Sequence, residues 1–231
     1  MKYAFIFSLL ALTLLANACL AATWWAAVLL AWPGLALALV AGAYWCNAPA
    51  LFGKRPDGRI AWPNRLLLLP YGLLTHAVWL LSARLSREPA WHRIDERLIV
   101  GRRLLPGEVP AGIDAVLDLT CELPETQRLR GPHYTCLPML DASVIDVALI
   151  ASAVGCAAAR PGTLFIHCAQ GHGRTGLIAA LVLAARTPGL TPTASLARLV
   201  AIRPGIGLSR SQMVVLNGWP PPGESGGARL E

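Results

Sequence analysis

The chain has 231 residues, 55% of them hydrophobic, and a mean hydropathy of +0.52, which is too apolar for an ordinary soluble domain. The formal net charge of +7 is unevenly distributed along the chain. Residues 1–87 contain seven basic residues and one acidic residue, whereas residues 88–231 contain 13 basic and 12 acidic residues. Since the second part is nearly neutral, nucleic acid is excluded as a partner.

The first predicted elements are two membrane helices. Residues 3–45 are almost wholly apolar and include no charged side chain. Since one spanning helix needs roughly 20 apolar residues, this stretch can hold two, with a break near residues 21–23 or at Pro33. Four tryptophans fit the aromatic belts of a membrane interface: Trp24, Trp25, Trp32 and Trp45. The sequence therefore predicts a transmembrane hairpin over residues 1–46.

A secretory signal peptide is the alternative for the first of these helices. Lys2 would be a short basic region, and Ala16-Asn17-Ala18 is similar to a small-residue cleavage site. The apolar run continues well beyond Cys19, however, and this continuation favours an uncleaved membrane anchor.

Residues 47–87 are predicted to be a basic loop followed by an apolar segment at the membrane. Four basic residues favour a cytoplasmic loop or a contact with anionic lipid: Lys54, Arg55, Arg59 and Arg65. The apolar run 66–83 would lie in the membrane interface or form a third span. The bias of basic residues toward the inner side predicts that both ends of the hairpin are cytoplasmic.

Residues 88–217 have the pattern of one α/β domain, and residues 218–231, rich in proline and glycine, that of a disordered tail. Strand-like segments alternate with helix-like ones, which indicates a mainly parallel sheet that is flanked by helices and covered on both faces. The predicted strands are residues 98–101, 115–119, 134–137 and 163–167. The predicted helices are residues 144–160, 173–186 and 193–202.

The most informative segment is His167-Cys168-Ala169-Gln170-Gly171-His172-Gly173-Arg174-Thr175-Gly176, which lies between a predicted strand and a predicted helix. A loop in this position suits the binding of a phosphate at a helix N-terminus. Its backbone amides can point at the phosphate oxygens, and its glycines permit the unusual backbone angles that this requires. The predicted phosphate-binding residues are Ala169, Gln170, Gly171, His172, Gly173 and Arg174.

Three side chains of this loop predict covalent phosphate chemistry. Cys168 would lie at its base, where the helix dipole, the amides and Arg174 favour a nucleophilic thiolate. The planar guanidinium of Arg174 would grip two phosphate oxygens. Thr175 would hydrogen-bond the sulfur when it becomes a leaving group. The spacing of His167, Cys168 and His172 matches no standard zinc site, so no metal or other cofactor is predicted.

Residues 167–176 resemble the signature of the cysteine-dependent phosphatases, and specifically of their dual-specificity branch. The resemblance extends over residues 90–217. Residues 91–101 are similar to the family's opening strand, residues 115–122 to its second core strand and the next turn, and residues 202–216 to its closing helix segment. The resemblance implies a cysteine-phosphatase-like fold and hydrolysis of phosphoric monoesters, but it says little about which substrate is hydrolysed.

The departing oxygen of a phosphate ester needs a proton, so a carboxylic acid must reach it. The upstream candidates are Asp114, Asp118, Asp141 and Asp146. Asp118 lies in an apolar strand and Asp146 on a predicted helix face, so both are expected to be structural. Asp141 follows a strand-like stretch, before a helix start expected at residues 142–143, where the resembled family has its acid. We therefore predict Asp141 as the general acid, with a helix N-cap as the alternative.

These features predict a multi-pass membrane phosphatase with a cytoplasmic catalytic domain. Its six cysteines do not have the spacing of a disulfide framework, and a thiolate nucleophile suits a reducing compartment. The preferred substrates are proteins carrying phosphotyrosine, phosphoserine or phosphothreonine. The resemblance implies this choice, since the short domain lacks room for the long additions with which strictly tyrosine-specific relatives build a deep pocket. The alternative is a phosphoinositide or a phosphatidylglycerol phosphate, which the membrane anchor and His172 support. A catalytically dead phosphate-binding scaffold is disfavoured, because nucleophile, arginine and acid are all present.

Overall fold

The computed structural model describes residues 2–220, which form two compact units. Residues up to Leu85, together with Cys121–Pro124, form the first unit. Ser86–Thr120 and the residues from Glu125 onward form the second. Most of the tail that the sequence predicts to be disordered, residues 221–231, lies outside the described residues.

The first unit is helical. Its two long helices are α1 (Lys2–Cys19) and α2 (Trp24–Trp45), and a 3₁₀ turn and two further helices follow. These are Pro49–Phe52, α3 (Trp62–Leu67) and α4 (Leu69–Leu85). The helical run is interrupted between Cys19 and Trp24, at the first of the two predicted break points. The second, Pro33, lies inside α2 and does not end that helix.

Helices α1 and α2 form an antiparallel pair. Trp45 Nε1, at the end of α2, donates to Ser8 Oγ near the start of α1 at 3.1 Å. At the other end the helices approach so closely that a Cβ on Gly34 would lie 2.9 Å from Leu15 Cδ2. Both helices are long and apolar enough to cross a membrane, and only 11% and 33% of their apolar windows are buried within the protein. Such exposure is unlike the core helix of a soluble protein and suggests association with a membrane.

The second unit is a five-stranded mixed sheet with four helices. Its strands are β1 (Trp91–Asp95), β2 (Leu98–Arg102), β3 (Ala115–Thr120), β4 (Tyr134–Met139) and β5 (Leu164–Cys168). Their spatial order is β1-β2-β5-β3-β4; β1 is antiparallel to β2, and every other pair is parallel. The helices are α5 (Val147–Ala159), α6 (Gly173–Arg186), α7 (Pro192–Ile202) and α8 (Arg210–Asn217). The predicted mainly parallel α/β fold is confirmed.

The helices lie on one face of this sheet. The larger hydrophobic core joins inward side chains of the strands, such as Val100, Leu117 and Ile166, to residues of all four helices. Alternate strand residues, including Phe165, point to the opposite face, where Leu104 and other residues of the connecting segments cover them. The prediction of a sheet covered on both faces is therefore confirmed, because helices provide one layer and the connecting segments provide the other.

Two local predictions are wrong. Residues 91–101 are not one strand but a hairpin, because Asp95 Oδ1 accepts a hydrogen bond from Arg97 N at 2.8 Å and turns the chain. Helix α5 does not start at residues 142–143. It begins at Val147, where Asp146 caps it by accepting from Ala148 N at 2.9 Å.

Candidate active site

The predicted phosphate loop connects β5 to α6 at the carboxyl edge of the parallel strands. Cys168 is the last residue of β5, and the helix begins at Gly173. The Cys168 side chain is buried, and its sulfur accepts a hydrogen bond from Gly171 N at 3.2 Å. The sulfur is therefore held inside the loop by a backbone amide, the type of donor that the proposed phosphate site requires.

Gly171 allows the loop to turn over the neighbouring strand. Its φ is +74°, and a Cβ at this position would lie 2.3 Å from the carbonyl carbon of Gly101. Both the backbone angle and the close approach therefore require glycine. The sequence predicts that a glycine here allows an unusual backbone angle. It does not show which strand the loop contacts, and the structure identifies that strand as β2.

Arg203 holds the outer side of the loop, a role that the sequence analysis missed. Its Nε donates to Gly171 O at 3.0 Å and its Nη2 to Gln170 O at 3.3 Å. Since the C=O and N–H of a trans peptide point in opposite directions, these contacts turn the amides of Gly171 and His172 away from Arg203. The only sequence signal was the resemblance of the segment around Arg203 to the phosphatase family.

Arg174 and Asp141 lie together beside the loop. The guanidinium of Arg174 is almost completely buried, and its Nη1 donates to Met139 O at 2.9 Å. Its Nε lies 3.5 Å from Asp141 Oδ1, although the Asp141 side chain is about half exposed. The structure thus brings the predicted phosphate-binding arginine and the predicted acid to one place.

The other candidate acids are occupied by structural contacts. Asp118 is buried and accepts from Thr120 N at 2.8 Å and from the Tyr134 hydroxyl at 2.7 Å. Asp114 accepts from Thr163 N at 2.7 Å. Asp146, expected on a helix face, is instead the N-cap of α5. Asp141 is not a helix N-cap in this structure, so the alternative interpretation of Asp141 is wrong.

Thr175 lies in the first turn of α6 and is fully buried. Its hydroxyl makes no hydrogen bond among the described residues, so the expected contact with the Cys168 sulfur is not formed. Its role as a stabiliser of the leaving thiolate stays a prediction, as do the roles of the other site residues.

His167 lies behind the loop in a buried group of charged residues. Its Nε2 is 2.7 Å from Glu125 Oε2, and its ring stacks on Phe165 with 5.0 Å between the ring centroids. Burial on its own would raise the pKa of Glu125, but the charge and hydrogen bond of His167 outweigh it and hold the pKa below its ordinary value. The sequence analysis placed His167 correctly behind the loop but missed Glu125.

Asp118, Glu125 and His167 are the described side chains best placed to hold a metal ion, with ligand atoms within 4.8 Å of one another. Arg103 already supplies positive charge to this group. Burial lowers the pKa of Arg103, while the charges of Glu125 and Asp118 oppose that effect. Because this cation offsets the carboxylates, the charge balance does not call for a metal.

His172 lies at the rim of the loop, and its Nε2 is 2.8 Å from Glu88 Oε2. Burial alone would raise the pKa of Glu88. The hydrogen bond from His172 and the charge of Arg203 instead bring that pKa below its ordinary value. One carboxylate of Glu88 therefore contacts both His172 and Arg203 at the rim, and the sequence analysis predicted neither contact.

No protein-family model matches the sequence, and no curated protein matches it significantly. Solved structures do match. A mutant form of Tk-PTP is 27% identical with a TM-score of 0.50, over 56% of this chain and 93% of that protein. The second unit has the fold of the cysteine-dependent phosphatases. The resemblance stated from the loop sequence is therefore confirmed, and the similarity supports a phosphatase enzyme.

Two further cysteine phosphatases match with lower scores. PTPMT1, in a complex with PI(5)P, is 22% identical with a TM-score of 0.47, over 55% of this chain and 92% of that protein. A variant of human DUSP28 is 19% identical with a TM-score of 0.48, over 56% of this chain and 92% of that protein.

Proposed function

We propose that this phosphatase hydrolyses phosphomonoesters through a cysteinyl-phosphate on Cys168. The observation that carries the proposal is the grouping of three features at one site: a buried sulfur that accepts a loop amide, Arg174, and Asp141 at 3.5 Å from that arginine. They supply a nucleophile, a planar binder of phosphate oxygens and a proton donor.

The reaction takes two displacements at phosphorus. In the first, the Cys168 thiolate forms the S–P bond while the ester P–O bond breaks, and Asp141 gives its proton to the departing oxygen. In the second, water attacks phosphorus, Asp141 takes its proton, and the S–P bond breaks to return the thiolate and release phosphate. The loop amides and Arg174 stabilise the charge on the equatorial oxygens in both steps.

The proposed substrates are phosphoproteins. A short catalytic unit without added segments suits a shallow pocket, which would accept phosphoserine and phosphothreonine as well as phosphotyrosine.

The second candidate is a lipid phosphatase acting on a phosphoinositide or a phosphatidylglycerol phosphate. It is supported by α1 and α2, which are long and apolar enough to place the chain in a bilayer. We infer a multi-pass anchor with the catalytic unit in the cytoplasm, where a thiolate stays reduced and where the basic residues of the first unit are favoured.

A substrate panel separates the two candidates. The full chain in lipid nanodiscs is assayed for phosphate release from phosphotyrosine, phosphoserine and phosphothreonine peptides, and from vesicles containing a phosphoinositide or phosphatidylglycerol phosphate. Cys168→Ser in the same nanodiscs gives the background. We expect release mainly from peptides; release mainly from vesicles would select the lipid phosphatase instead.

A further inference from the structure

Glu88 joins three separate segments at the edge of the phosphate loop. Its Oε2 lies 2.8 Å from His172 Nε2 and 2.7 Å from Arg203 Nη2. Its Oε1 accepts a hydrogen bond from Gly205 N at 3.2 Å. One carboxylate therefore connects the loop, the segment after α7 and the segment that precedes β1.

Arg203 needs this carboxylate. Its side chain is 1% exposed, and three of its other contacts are to the carbonyl oxygens of Gln170, Gly171 and Pro89. Carbonyl oxygens orient a guanidinium but carry no net charge, and a buried cation without an anionic partner is costly. Burial lowers the pKa of Arg203, and the charge of Glu88 opposes that effect, so the pair is held in its ionised form.

We propose that Glu88 is a positioning residue that keeps the loop in its anion-binding form, acting through Arg203 and His172. The inference rests on the proposed function of this loop as a phosphate site. Glu88 fixes the guanidinium of Arg203, and Arg203 in turn holds the carbonyls of Gln170 and Gly171 outward. The amides of Gly171 and His172 then face the inside of the loop, where the Cys168 sulfur lies and where phosphate would bind. Glu88 itself touches no reacting atom.

Glu88 also connects the loop to the start of the catalytic unit. It follows Leu85, the last residue of α4, by three positions in the chain. The segment that leads from the helical unit into the sheet thus contributes a side chain to the geometry of the phosphate loop. The affinity of the loop for an anion depends on a residue 84 positions away from His172.

The first test uses tungstate, an unreactive phosphate analogue, and the full chain in nanodiscs. Glu88→Gln keeps the side chain's size and removes its charge, so the tungstate Kd should rise about tenfold, as expected for a lost charge-assisted contact. The KM for p-nitrophenyl phosphate should rise in parallel, with kcat changing by less than about threefold. Glu88→Asp should recover part of the affinity. Glu96→Gln, which neutralises an exposed carboxylate on the β1–β2 turn, should leave both constants unchanged.

A second variant disturbs the same contact without removing a charge. A Cβ on Gly205 would lie 2.5 Å from His172 Nε2 and 2.7 Å from Glu88 Oε1, so Gly205→Ala forces this pair apart. It should weaken tungstate binding in the same direction, and the double variant with Glu88→Gln should lose less than the product of the two single effects. A purely structural role would instead lower the melting temperature without separating KM from kcat.

Tungstate affinities within about twofold of wild type for both Glu88→Gln and Gly205→Ala would overturn the positioning role while leaving the phosphate site intact, because twofold is far below the loss of one charged contact. A wild-type chain that does not bind tungstate would overturn the phosphate site, and the positioning role with it. The two failures are therefore distinguishable.

Discussion

Arg174 is the residue that we propose to grip the phosphate, and that role depends on the shape of its side chain. Its guanidinium is buried and held by Met139 O at 2.9 Å, so the orientation of its planar face is fixed before a substrate arrives. Lysine could keep the charge but could neither reach Met139 in the same geometry nor present two parallel donors.

We expect Arg174→Lys to reduce kcat/KM by about 10²–10³, the usual cost of removing a preorganised donor to the transition state. The measurement is steady-state hydrolysis of p-nitrophenyl phosphate by wild type and variant in the same nanodiscs. A reduction of less than about fivefold would mean that Arg174 does not bind the reacting phosphate.

The contribution of Asp141 to the rate should increase with the basicity of the leaving group. Asp141→Asn is expected to slow hydrolysis of an alkyl phosphate by roughly 10²–10⁴ and that of p-nitrophenyl phosphate much less, since nitrophenolate departs without a proton. The matched control is Asp146→Asn, which removes the carboxylate that caps α5 and should affect both substrates equally. A differential effect in the Asp146 variant, and none in the Asp141 variant, would reverse the assignment.

For individual residues, the sequence predicts contacts between positions that are close together in the chain. Cys168 and Arg174 lie six positions apart, so their common loop could be predicted from spacing alone. Arg203 and Glu88 could not, because Arg203 contacts Gly171 from 32 positions away and Glu88 contacts Gly205 from 117. Such contacts depend on how helices and strands are arranged, and no local pattern encodes them.

Among the helices and strands, hydropathy predicted the buried elements correctly. It located β3, β5 and α6, because buried parallel strands and a buried helix are continuous apolar runs. Polar side chains decided the elements that were predicted wrongly. Asp95 turns the β1–β2 hairpin and Asp146 delays the start of α5, and both act through single hydrogen bonds that hydropathy does not register.

Glu125, in the β3–β4 connection, makes a buried contact with His167 of β5, and this contact predicts that the stability of the fold depends on pH. The pKa of Glu125 lies below its ordinary value of 4.5 when folded, so ionised Glu125 stabilises the fold at higher pH. That contribution is complete above 4.5, the unfolded value, and is lost as the pH falls through the lower folded-state pKa.

We therefore expect the melting temperature of the full chain to fall as the pH is lowered from 4.5. Glu125→Gln should lower the free energy of unfolding by about 1–3 kcal/mol near neutral pH and flatten this dependence. Thermal melts followed by circular dichroism measure both effects, with Glu96→Gln as the control. A Glu125 variant with the wild-type pH profile would show that the pair with His167 does not contribute to stability.

For the whole molecule, the uneven charge leads to a prediction of topology. The basic residues before residue 88 should stay on the inner side, with α1 and α2 crossing as a hairpin and α4 lying along the inner face. A green fluorescent protein fused after Arg87 should be bright, and alkaline phosphatase fused there should be silent. The opposite pattern would make α4 a third span and place Cys168 outside the cytoplasm.

The central claim is that Cys168 is the nucleophile of a phosphatase that needs no metal. The most direct measurement is phosphate release from p-nitrophenyl phosphate by the full chain in nanodiscs with excess EDTA, compared between wild type and Cys168→Ser. We predict sustained turnover by wild type and none above background by the variant, which should still bind tungstate, because a serine hydroxyl stays protonated at neutral pH. Equal turnover by the two proteins, or wild-type activity abolished by EDTA, would contradict the account.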